Sequence, residues 1–161
     1  MIQIPHSQEY KKVDSYEKYL FQLYKDENII VKATSGTENI EGSDLFSERV
    51  YLDTLPSLIG EPTQDTIACI YEVVNDGTFI DFFGSFGEDR KRWQESQVLQ
   101  FCRDHRDKIR IGSYVTLFEL ENGCVVGVLI DDDNRLRAFI RSLNYPALWQ
   151  AYYRRRLIIP F

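Results

Sequence analysis

No run in this chain approaches the roughly 20 consecutive apolar residues that a helix needs to cross a bilayer, so no membrane-spanning helix is expected. Cysteine is scarce: Cys69, Cys102 and Cys124 are an odd set at wide spacing. They match no disulfide framework and point to a reducing, cytoplasmic setting. The first residues, Met1-Ile2-Gln3-Ile4-Pro5-His6, have neither the basic nor the apolar region of a secretory signal. Histidine is nearly absent too, with only His6 and His105. Cys102 and His105 lie three apart on a helical stretch and would supply half a metal site, so no metal is expected. A packed, hydrogen-bonded histidine explains that pair better.

Phosphate and calcium loops are missing as well. Gly84-Ser85-Phe86-Gly87 lacks the Lys-Ser/Thr of a P-loop, and Glu88-Asp89 place negative charge where a phosphate would lie. Asp131-Asp132-Asp133-Asn134 has Leu136 and Ser142 where a calcium loop needs Gly and Glu. No cofactor is implied.

What is present is an ordinary globular composition, 43% hydrophobic and 27% charged over 161 residues, which suits one domain spanning 1–161. The net charge of −6 is unevenly spread. Residues 1–100 carry nine Lys/Arg against eighteen Asp/Glu, and residues 101–161 carry ten against seven. An acidic body disfavours nucleic acid as a general partner and favours a basic protein.

Two turn signals, Asn75-Asp76-Gly77 and Asn122-Gly123, sit within apolar, β-branched runs. They predict antiparallel hairpins over 66–84 and 113–143. Apolar spacing predicts helices over 14–26, where Asp14 and Glu17 form a capping pattern, over 88–108, and over 146–156. The expected fold is α+β: an antiparallel sheet with about three helices packed on it.

Period-two alternation then assigns faces. A two-residue Asn122-Gly123 turn pairs Glu119 with Val126 and puts Phe118 on the same face as Val125 and Gly127. A two-residue Asp132-Asp133 turn adds Leu136, Ala138 and Ile140 to that core face. With Asp76-Gly77 as the turn, Glu72 lies opposite Asp81 between Ile70, Val74, Phe79 and Phe83; a one-residue change puts Tyr71 there instead. Paired carboxylates in an apolar setting would raise one pKa, as an acid/base pair needs, or would clamp a cation.

The candidate ligand-binding residues are therefore Glu72, Asp81, Tyr71, Phe83 and Glu119, and no catalytic residue is assigned. Arg154, Arg155 and Arg156, beside Tyr152 and Tyr153, form the candidate phosphate or partner contact. The apolar 157–161 segment predicts an extra edge strand or a dock on a neighbouring subunit, hence a homodimer. The function expected is a non-catalytic interaction protein for a basic partner, of inhibitor or immunity type. The alternatives are an aromatic, acidic pocket for a cationic or planar small molecule, and a hydrolase or isomerase using Glu72 and Asp81.

Overall fold

The computed structural model describes residues 16–53, 60–112 and 114–161. Among them, eight strands join one mixed sheet: β1 Leu20–Leu23, β2 Ile29–Val31, β3 Glu48–Tyr51, β4 Thr66–Val73, β5 Thr116–Glu119, β6 Cys124–Ile130, β7 Leu136–Ser142 and β8 Arg156–Pro160. The order across it is β1-β4-β8-β5-β6-β7-β3. β2 also pairs with β4, continuing the line of β1 beyond the segment 24–28, where Tyr24 takes a positive φ of 54°. The described elements also include two α-helices, α1 Phe79–Gly84 and α2 Glu95–Asp104, and two 3-10 turns, Arg106–Lys108 and Ala151–Tyr153.

The purely antiparallel sheet with three helices is thus overturned. β3 runs parallel to β7, and β5 parallel to β8. Each correction has a local cause. The 66–84 hairpin does not form, because Thr78 and Asp81 close a capping box: Asp81 N–H donates to Thr78 Oγ1 at 3.2 Å and Thr78 N–H to Asp81 Oδ2 at 2.9 Å. The chain turns helical after Gly77, and Phe79, Phe82 and Phe83 are buried. Asp81 is therefore a helix cap, and the ladder partners of Glu72 are Phe21 and Arg156.

Of the helix over 14–26, residues 16–17 are helical and β1 takes over from Leu20; Asp14 lies outside the described residues. The apolar spacing misled because the sheet carries a core on each face. Leu20, opposite Val73, belongs to the core that holds Phe79 and Phe82, while Leu23, opposite Ile70, packs against the core that holds Val31 and Val98. Residues three apart share a helical face but lie on opposite faces of a strand, and here both faces are covered. The helix over 146–156 gives way to one 3-10 turn and the start of β8. β8 is an inner strand between β4 and β5, not an edge, and buries Leu157 and Ile159 on one face and Ile158 on the other. The tail thus covers itself within its own sheet, which removes the sequence argument for self-association through it. Within 88–108, helix occupies 95–104.

The strands of 113–143 pair antiparallel, but each turn is one residue longer than expected. Glu119 faces Val125, and Ile130 faces Leu136. Both loops are three-residue hairpins closed by a left-handed residue, Gly123 at φ 85° and Asn134 at φ 62°. The two slips cancel between β5 and β7, so Phe118 still shares a face with Leu136, Ala138 and Ile140. Only β6 is inverted, and Val126 and Val128 join that core instead of Val125.

Candidate functional site

Trp93 precedes α2 and is the post on which one end of the sheet is hung. Its N–H donates to the Glu119 carbonyl at 2.9 Å and its own carbonyl accepts from Glu121 at 3.0 Å. Its indole N–H reaches the Ile158 carbonyl at 2.7 Å. This brings the first turn of α2 beside the β5–β6 hairpin turn. A third wall comes from residues 36–39, tied to α2 by three side-chain links. Thr34 Oγ1 lies 2.8 Å from Ser96 Oγ, Ile40 N–H donates to Glu95 Oε1 at 3.1 Å, and Arg103 forks onto Glu38 with one bond of 2.9 Å.

Between these walls lies a cleft of about 420 Å³, with Trp93, Gln94 and Leu120 in its lining and Glu38, Glu95 and Glu121 bringing carboxylates. Gly36 and Gly60 make its narrow side. A Cβ on Gly36 (φ 81°) would stand 2.1 Å from the Glu61 carbonyl oxygen, and one on Gly60 would stand 2.1 Å from that of Gly36. Glu61 is fastened there by its N–H, which donates to Gln94 Oε1 at 2.9 Å.

The electrostatics of the cleft are one-sided. Arg103 holds the Glu38 carboxyl below its usual range through their hydrogen bonds. Glu61, Glu95 and Glu121 have no cationic partner among the described residues. Burial first, and then the nearby Glu61, push the Glu121 carboxyl above its ordinary 4.5. The Cys124 thiol at the turn is raised to about 11, by burial and then by Glu95. The cleft therefore favours positive charge.

None of the candidate site residues named from the sequence lines this cleft, although Asn122 of the turn signal does. Glu119 is one place away but turned into the opposite face, its side chain 4% exposed and bonded by Arg90 at 2.7 Å through each oxygen. Arg92 adds a contact of 3.3 Å. Glu72 is half-buried, 3.6 Å from Arg110. Tyr71 is buried edge-on against Tyr16 and Phe86, its hydroxyl pKa raised by burial. Phe83 is fully buried. The three arginines diverge. Arg154 is exposed with φ 47°, Arg155 lies on Trp149, and Arg156 turns to the other face, toward Tyr24 and the Lys108 carbonyl.

Cys102 is buried and His105 Nε2 sits 2.7 Å from the Ile30 carbonyl oxygen, a packed pair as expected. No cluster of metal-ligating side chains occurs among the described residues, and no helix among them is long and apolar enough to cross a membrane. The cleft residues escaped the sequence reading because they come from four separate segments. The glycine pair had a signal, since Gly36 lies in the polar stretch 34–44 and Gly60 in the irregular connection between Pro56 and Pro62.

Comparison with protein-family models, with curated proteins and with solved structures found no match.

Proposed function

We propose that this chain is a non-catalytic, cytoplasmic binding protein that receives a cationic group of a basic protein partner in the acidic cleft. The observation that carries the reading is a cleft of about 420 Å³ lined by Glu95 and Glu121, with Glu61 close enough to act on Glu121, none of the three having a counter-ion among the described residues. An arginine or lysine side chain entering there would relieve their mutual repulsion. The excess of acid over base in residues 1–100 would steer such a partner from a distance. An inhibitor or immunity-type factor for a basic protein works by this kind of contact. Three free cysteines are compatible with a reducing compartment.

A planar small cation is the second reading, favoured by the volume, which falls within the ordinary range of ligand pockets. Acid/base catalysis by Glu72 and Asp81 is not retained, because the two belong to a strand and to a helix cap. Titration calorimetry with an oligoarginine peptide tests the first reading. Binding should weaken with salt and should fall in the Glu61→Gln/Glu121→Gln double variant. Binding that ignores both salt and the double variant rules the cleft out, and preference for free arginine amide over the peptide supports the second reading.

A further inference from the structure

Glu38 differs from the other carboxylates of the cleft in carrying a cation of the chain's own. Arg103 reaches it from the last turn of α2, with Nη1 donating to Oε1 at 2.9 Å and Nη2 donating to Oε2. Glu95 and Glu121, which line the same cleft, have no such partner among the described residues. The cleft therefore already holds one guanidinium, seated on both oxygens of a lining carboxylate, which is the geometry an arginine makes with an acid. Among the described residues, Arg103 is the one acid-paired arginine whose acid lines the cleft; Arg90, Arg92, Arg110 and Arg137 are paired elsewhere.

The pair is placed to be exchanged. Its side chains are 36% and 48% exposed, against 10% and 4% for Arg90 and Glu119. A solvated ion pair favours the closed state by only about twofold to fivefold, whereas a buried one resists separation. An incoming guanidinium could make the same two bonds to Glu38. It would also meet Glu95 and Glu121, to which Arg103 makes no bond. Asp44 acts on Arg103 as well, so the displaced side chain keeps an acid near it.

We propose that Arg103 is an internal competitor for the cleft: it holds Glu38 in the free protein and yields that carboxylate to an arginine of a basic protein partner. This rests on the reading of the cleft as a site for a cationic group. It adds Glu38 to the partner's contacts and makes Arg103 the residue that limits affinity, since every binding event must first undo the internal pair.

Titration calorimetry of the full chain with an oligoarginine peptide tests the proposal. Arg103→Gln should bind about threefold to fivefold more tightly than wild type, with the gain shrinking at high salt. Arg137→Gln lowers the net charge equally and should bind as wild type. Arg137 pairs with Glu48 and Asp131 and lies opposite Leu129, at the far end of β6 from the cleft turn. In a Glu38→Gln background, Arg103→Gln should bring no gain. Unchanged or weaker binding in Arg103→Gln, an equal gain in Arg137→Gln, or a gain that survives Glu38→Gln overturns the proposal, while binding by wild type leaves the cleft reading standing. If wild type does not bind, binding by Arg103→Gln supports the proposal, and silence from both overturns it together with the cleft reading. Should Arg103→Gln not fold by circular dichroism, NMR of the wild type decides. The Arg103 guanidinium signals should shift on saturation with the peptide, and signals that stay in place overturn the proposal.

Discussion

Arg90 grips both carboxylate oxygens of Glu119 at 2.7 Å, and its remaining nitrogen donates to the Gly87 carbonyl at 2.7 Å. This pair ties the segment between the two helices to β5. With side chains 10% and 4% exposed, it is a desolvated pair whose value lies in not being broken. Glu119→Gln should destabilise the fold by about 3–5 kcal/mol, by leaving Arg90 buried without its charge partner. Arg92→Gln removes only the half-exposed contact and should cost less than about 1 kcal/mol. Urea unfolding of the two variants checks the order; equal midpoints would contradict it.

Gly36→Ala would force a side chain into the Glu61 carbonyl from a left-handed backbone. The expected outcome is displacement of the 60–61 segment from Gln94, a loss of about 1–3 kcal/mol in stability and weaker oligoarginine binding. Thermal melts together with calorimetry read both effects. A variant that binds as wild type separates the glycine crossing from cleft function.

Protons and cations should compete at Glu121. Its carboxyl is raised in the folded protein, so the native state holds more protons than the unfolded chain at pH values just above 4.5. Stability at this site therefore falls as pH rises from 4.5 through the raised value, the reverse of an acid held in a salt bridge. Affinity for a cationic peptide should rise over the same window, because the ionised form is the one that attracts it. Calorimetry across pH 4–7 in wild type and Glu121→Gln measures this, and an equal slope in both would remove Glu121 from the linkage.

The hairpin turns make their own prediction. Gly123→Ala and Asn134→Ala each place an alanine in the left-handed region and should cost about 1–2 kcal/mol. An unmoved unfolding midpoint in Gly123→Ala would contradict the left-handed position there, and one in Asn134→Ala would argue for the two-residue Asp132-Asp133 turn, which leaves Asn134 in the strand.

A capping variant tests the helix that replaced the expected strand. Thr78→Ala removes the acceptor for the Asp81 N–H and should destabilise by about 1 kcal/mol, read by urea denaturation.

These residues also explain how far the sequence was legible. The strands around Asn122-Gly123 were visible because a glycine turn and β-branched flanks agree. Their register was not, since two- and three-residue loops share the same Asn-Gly signal. The Asn75-Asp76-Gly77 signal misled: Gly77 takes no positive φ and bridges Trp149, and Thr78 and Asp81, spaced as a capping box, send the chain into a helix. Helical periodicity at Leu20 and Leu23 was real yet ambiguous, because a strand buried on both faces gives the same pattern. The cleft was illegible for a different reason: its carboxylates meet only after four distant segments are brought together by Trp93.

The inner position of β8 has a consequence for how the molecule comes into being. β4 and β5 do not touch through their own ladders; each leans on residues 156–160, which leave the ribosome after both. Until that segment arrives, the chain holds two unjoined half-sheets, each offering a raw hydrogen-bonding border. Assembly is therefore a closing event of high contact order rather than a progressive zippering. Anything that shortens the chain before Arg156 releases two sticky ribbons in place of one protein.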